Sequence, residues 1–246
     1  MNARCVLVIL VAAGCGVGLG AGAGDSKPSE IQEGQQLAAQ IRATPPAESM
    51  TLSGRIQVRD GQSNLKDLPF QFRTTVTASN WITVYRVNRD TTPAPPLLAV
   101  IHEPGKPSSY WESDASSPDD WKPLDGKAAG RAFGDSDFSI FDLGLGFFHW
   151  PQQRVIKTEM RKSRSCRVLE SMNLAPGPKD YKRVLSWVDS ETGGLLLAEA
   201  YDHQNRLIKE FSVNSMKKIN DQWHVQQMEI RNTQTKSRTR LDFDVK

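Results

Sequence analysis

The chain has 246 residues, 38% of them hydrophobic and 24% charged, and its 31 Lys and Arg against 28 Asp and Glu leave a formal charge of +3. So even a balance excludes an electrostatic nucleic-acid binder, which needs a clustered basic face. Three cysteines exclude a disulfide framework, and four histidines without ligand spacing offer no metal cluster.

The first residues read as an address. Arg4 precedes the apolar run Val6–Ala13, and Ala21-Gly22-Ala23 makes a small-residue cleavage site before Gly24. This predicts a signal peptide over 1–23 and export from the cytoplasm. Ala12-Ala13-Gly14-Cys15 also resembles a lipobox, so a lipid anchor through Cys15 is the alternative. Either cleavage removes Cys5, and cleavage after Ala23 leaves Cys166 as the single cysteine, without an internal disulfide. The core must then hold by packing.

Residues 24–49 predict an N-terminal helix and a linker. Ser29 is the cap, Glu30 and Glu33 suit the first turn, and Ile31, Leu37, Ala38 and Ile41 recur at helical spacing. Pro45-Pro46 ends the pattern. Residues 50–246 then read as one domain.

Period two follows. Leu52, Gly54, Ile56 and Val58 alternate with polar residues, as do Phe70, Phe72, Thr74 and Val76. Trp81–Val87 and Leu97–His102 are further strand-like runs. Pro107–Asp125 reads as a loop, with Tyr110, Trp111 and Trp121 pinning it to the body. Asp135–Trp150 breaks the rhythm and predicts a central helix, capped by Ser136 or Asp137. Its apolar positions Phe138, Ile140, Phe141, Leu143, Leu145, Phe147 and Phe148 make it too apolar for a surface helix. Pro151 ends it. Strands resume at Arg154, with a hairpin at Gly193-Gly194 and turns at Asn205 and Asn220-Asp221. Thr239, Leu241, Phe243 and Val245 share one face of the last strand. The total is about nine to eleven antiparallel strands without βαβ alternation.

One enzyme constellation presents itself. Gly134-Asp135-Ser136 resembles the start of a GDSL-type esterase, and Asp221 and His224 have the Asp-x-x-His spacing of that family's triad. Against it, Ser136 follows many strands rather than the first, and opens the predicted helix. Helix cap and hairpin turn explain the same residues.

Gly134-Asp135-Ser136-Asp137-Phe138-Ser139-Ile140-Phe141-Asp142-Leu143 resembles a loosely spaced Gly-Ser/Thr-x-Phe-Ser/Thr-Tyr-x-Asp-Leu motif of LolA-like outer-membrane lipoprotein-sorting proteins. Further fragments follow in the family's order: Cys166–Glu170, Tyr181, Trp187-Val188-Asp189, Glu199–Asp202, Leu207-Ile208-Lys209, Trp223, Met228, Arg231-Asn232 and Thr239-Arg240-Leu241. The resemblance covers residues 130–246 well and 50–130 in rhythm alone. Ile140 or Phe141 stands where the motif has Tyr, and neither Arg73 nor Arg86 is marked as the family's functional arginine.

The resemblance implies an incomplete antiparallel β-barrel, mainly β (α+β), with the N-terminal and central helices covering its concave face. It implies a non-catalytic periplasmic carrier for acyl chains of lipid or lipoprotein, acting in outer-membrane lipoprotein sorting, with an inner-membrane transporter as a further partner. No cofactor, metal or nucleic acid is expected. The expected ligand cavity is lined by Phe70, Phe72, Val76, Phe138, Phe141, Leu143, Phe147, Phe148, Leu241 and Phe243. A non-carrier accessory module of the same fold is the runner-up, and the esterase the third reading.

Overall fold

The computed structural model describes residues 29–89, 95–114, 116–177, 180–219 and 222–245. The signal segment, Cys15 and the Asn220-Asp221 turn lie outside the described residues.

Helix α1 (Glu30–Ala43) forms where its cap and periodicity place it, with the Ser29 hydroxyl accepting from the Gln32 N–H at 3.2 Å. Its inner face buries Gly34, Leu37, Ala38 and Ile41, whereas Ile31 is 56% exposed and does not belong to that face.

Thirteen strands follow: β1 (Met50–Arg59), β2 (Leu65–Val76), β3 (Trp81–Val87), β4 (Leu97–His102), β5 (Ser109–Ser113), β6 (Trp121–Leu124), β7 (Gln152–Arg161), β8 (Arg164–Met172), β9 (Arg183–Asp189), β10 (Leu195–Tyr201), β11 (Leu207–Ile219), β12 (Gln222–Asn232) and β13 (Ser237–Phe243). They make one antiparallel sheet in the order β6-β5-β4-β3-β2-β1-β13-β12-β11-β10-β9-β8-β7. The edge strands β6 and β7 do not pair, so the barrel stays open. This is the expected fold class with more strands than counted. The difference is the segment Pro107–Asp125, which folds as β5 and β6 instead of a loop. Its aromatics do alternate, with Tyr110 turned into the core and Trp111 half-buried, but Ser, Pro and Asp mask the pattern.

The register brings the apolar rows together. Ile56 of β1 faces Leu241 of β13 and Leu68 of β2, and Gly54 faces Phe243 and Phe70. Phe70, Phe72, Tyr85, Phe133 and Phe243 form a ring cluster on the inner face, with centroids 5.7–6.3 Å apart in seven contacts. Each buried side chain of this size contributes roughly 1.5–3 kcal/mol. Gly34 lets α1 lie directly on β7, because a Cβ there would stand 2.5 Å from the Arg154 backbone. A smaller apolar cluster of Cys166, Val168, Trp187 and Leu196 lies outside this main core.

Between β6 and β7 come two short helices, α2 (Gly126–Ala129) and α3 (Ile140–Leu143), and a 3₁₀ turn over Gly146–His149. The predicted central helix over 135–150 is therefore a correction: only one α-turn forms. Leu145 takes the left-handed conformation at φ 50°, which breaks the helix between two glycines. Both glycines are close-packed: a Cβ on Gly144 would meet the Tyr110 hydroxyl at 2.3 Å, and one on Gly146 the Phe141 ring at 2.0 Å. The segment is a wrapped lid, with Phe138, Ile140, Leu143, Phe147 and Phe148 buried and Phe141 and Leu145 half-buried.

Candidate functional site: the lid and the slot beneath it

The lid begins at a tight turn. Gly134 and Asp135 both have positive φ, at 57° and 62°, and the Ser136 N–H donates to the Phe133 carbonyl at 2.9 Å. This is the geometry of a type I′ turn, which explains the Gly-Asp pair. Ser136 is buried, and its Oγ accepts the Phe138 N–H at 3.2 Å. The Gly-Asp-Ser run thus turns the chain, contrary to the esterase resemblance, and its third proposed member, Asp221, lies outside the described residues.

Each aspartate of this segment ties the lid to a different place. Asp135 pairs with Arg89 at 2.9 Å and with Lys66 at 3.4 Å. Its carboxyl is held below the usual range; burial opposes this, but the Arg89 and Lys66 contacts together outweigh it. Asp137 accepts from Thr239 and Ser237 of β13, and its own N–H donates to Thr239 Oγ1 at 2.8 Å. Asp142 closes a capping box with Ser139, whose N–H reaches its carboxylate at 2.8 Å. The same carboxylate accepts from the Tyr181 hydroxyl at 2.9 Å and from Lys209 Nζ at 3.0 Å. Burial, then the charge of Asp142, raises the Tyr181 pKa well above its ordinary value.

Under the lid lies a narrow apolar slot. Phe138, Leu143 and Phe147 form its roof, and Val184, Ala198 and Phe211 of β9, β10 and β11 its floor. Its free volume is about 50 Å³. That is well below the roughly 300–1,000 Å³ of a ligand pocket. Tyr181 and Lys209 stand at its mouth and also border a wider cavity of about 330 Å³, with Phe141, Trp150, Asn173 and Asn232 among its walls.

On the other side of the lid, Leu143 and Phe148 border a second small cavity with Trp81, His102 and His149. His102 stacks on Trp81 at 4.9 Å. Both histidines are pushed down to about 4. Burial is the first cause for each, followed by the neighbouring charge of His149 for His102 and of Arg42 for His149.

The ten residues expected to line one cavity divide into two groups. Phe138, Phe141, Leu143, Phe147 and Phe148 border these spaces. Phe70, Phe72, Leu241 and Phe243 sit in the packed interior, and Val76 is half-buried at the end of β2. Arg73 and Arg86 are exposed and line none of these cavities. The cation that meets Asp142 is Lys209; Asp142, Tyr181 and Lys209 all fall in the motif fragments, but sequence reasoning named none of them as a site residue. The signal was available: Lys209 alternates with Phe211 and Val213, so a charge stands in an inward-facing apolar row. Among the described residues no group of His, Cys, Asp and Glu could hold a metal ion, and no helix is long and apolar enough to cross a membrane.

Known structures share this architecture. A putative outer membrane lipoprotein-sorting protein domain from Vibrio parahaemolyticus superposes with a TM-score of 0.71 at 16% identity, covering 87% of this chain and 91% of that one. A DUF1329 family protein from Desulfovibrio piger gives 0.68 at 19% identity, covering 88% and 92%. A LolA superfamily protein from Nitrosomonas europaea gives 0.59 at 15% identity, again covering 88% and 92%. At these identities the likeness establishes the fold, in agreement with the motif fragments. No curated protein matches the sequence. A family profile described as "Uncharacterized protein" matches residues 117–245. The match spans more than half of the chain, from the end of the first half-sheet through the lid to β13, and the chain belongs to that family, with a LolA-like fold.

Proposed function

We propose that the protein is a non-catalytic carrier of acyl chains, exported to the periplasm by the segment 1–23 or anchored there through Cys15. Residues 24–49 and 50–246 work as one binding unit, with the lid and slot as the ligand site. The observation that carries this reading is the apolar slot itself. An open sheet is covered by a segment that is not a continuous helix and is tied down by polar contacts at its ends.

The free volume is too small for a lipid, so loading must displace the lid. The magnitudes allow it. About fourteen buried methylenes contribute on the order of 10 kcal/mol at roughly 0.8 each. The buried Phe138, Leu143 and Phe147 contribute about 5–9 kcal/mol when packed, at 1.5–3 each. The two terms are comparable, so lid closure and acyl binding compete for one surface and exchange reversibly. Lipid and lipoprotein sorting, with an inner-membrane transporter as a further partner, is the pathway this exchange would serve.

The test is titration of the purified mature chain with a fluorescent fatty acid. Saturable binding that a lipid competes away supports the carrier. A second reading, an accessory module without cargo, draws on the filled aromatic cluster around Phe70 and Phe243. It requires that no saturable binding occur.

A further inference from the structure

Lys209 poses a question that the closed state answers and the loaded state does not. It projects from β11 in the same row as Phe211, among slot-lining residues. Its side chain is 16% exposed, and that of Asp142 is 12% exposed. A charge in such surroundings needs a counterion and hydrogen bonds. Asp142 supplies both at 3.0 Å, and the ammonium also lies over the Tyr181 ring at 5.5 Å. But Asp142 belongs to the lid, whereas Lys209 belongs to the sheet. When the lid lifts, Asp142 leaves and Lys209 stays on the wall.

Resting on the carrier reading, we infer that the cargo is an anionic amphiphile: a headgroup carrying a carboxylate or phosphate, attached to an acyl chain. Its anion takes the place of Asp142 at Lys209, with the Tyr181 hydroxyl freed to donate a second hydrogen bond. Its chain enters the slot between Phe138 and Phe211. The wider cavity, which also borders Lys209 and Tyr181, has room for the headgroup. Asp180 stands at that cavity too, but its carboxylate accepts the Gly177 N–H at 2.8 Å in a separate turn. The geometry therefore sets the polar end at Lys209 and the apolar end under Phe147. A neutral ligand of the same chain would leave the ammonium without a partner. A cationic one would be repelled by it.

The experiment is displacement of the fluorescent fatty acid from the full mature chain at neutral pH. The competitors are dodecanoate, dodecyl phosphate, 1-dodecanol and dodecyltrimethylammonium, with inorganic phosphate and acetate as chainless anions. The inference expects the two chain-bearing anions to compete about tenfold more tightly than dodecanol. It expects the cation and the chainless anions not to compete at matched concentrations. Lys209→Met should abolish the difference between the anions and dodecanol, whatever the loosened lid does to both, while Lys209→Arg keeps the preference. Equal competition by all chain-bearing ligands would overturn the inference and leave the carrier standing. So would a preference that survives Lys209→Met. Absence of any saturable binding would overturn both. The comparison among ligands on the unaltered protein does not depend on how the variants fold.

Discussion

Asp142 gathers Ser139, Tyr181 and Lys209 around one carboxylate, and these come from the lid, the approach to β9, and β11. Removing one side of a largely buried pair leaves the other charge uncompensated. Asp142→Ala should therefore cost roughly 2–4 kcal/mol in urea unfolding. Amide exchange over Ile140–His149 should speed up more than exchange in the strands. A loss under about 0.5 kcal/mol, with unchanged exchange, would show that the lid does not depend on this contact. Cys166 makes a second residue-scale case. It is buried, and burial, then the nearby charge of Asp189, pushes its thiol up to about 11. The thiolate is the reactive form. The native protein should resist a thiol reagent at pH 7.5 and react once unfolded; fast native labelling would contradict the packing around Val168 and Trp187.

At the scale of elements, α1 depends on a close approach to β7. Gly34→Val would push a branched side chain into the Arg154 backbone, which cannot rotate away. The expected loss is about 1–3 kcal/mol, read as a lowered melting temperature. An unchanged melting temperature would mean that α1 packs less tightly. This helix was legible because cap, charge and apolar spacing agree at Ser29, Glu33 and Leu37. The strands were legible where one face is wet, as in β1, β2 and β13. The lid was not. Its apolar residues recur as in a buried helix, but the chain breaks at Leu145 because Tyr110 and Phe141 occupy the space beside Gly144 and Gly146. The Tyr110 contact is tertiary and absent from any local pattern, and the Phe141 contact forms only once the segment has turned back on itself. The site divides in the same way. The motif pointed to Phe138 and Asp142, but the partners Tyr181 and Lys209 are distant in sequence. Phe70 and Phe243 face the same side as the slot, yet the aromatic cluster fills their half of the sheet.

For the whole molecule, pH acts through two half-buried histidines. His102 and His149 titrate near 4 when folded, against about 6.5 when unfolded. Between these values the unfolded chain binds more protons. Stability is thus fully present above about pH 6.5 and is lost as pH falls toward 4. The loss should be of the order of 2–3 kcal/mol for His102 and smaller for the less enclosed His149. A urea series across that range tests it, with His102→Gln flattening the slope. A slope that is unaltered by His102→Gln would assign the acid loss elsewhere. Because His149 belongs to the lid and His102 borders it, acid should loosen the lid as well as the fold.

The central claim is that the lid and an acyl chain compete for one apolar surface. It is tested most directly by isolating the protein from its native cells without detergent and extracting it for mass spectrometry. The account predicts a bound acyl-chain lipid in the wild type, and more of it in Asp142→Ala, whose lid is easier to displace. Extracts free of acyl lipid from both proteins would contradict it.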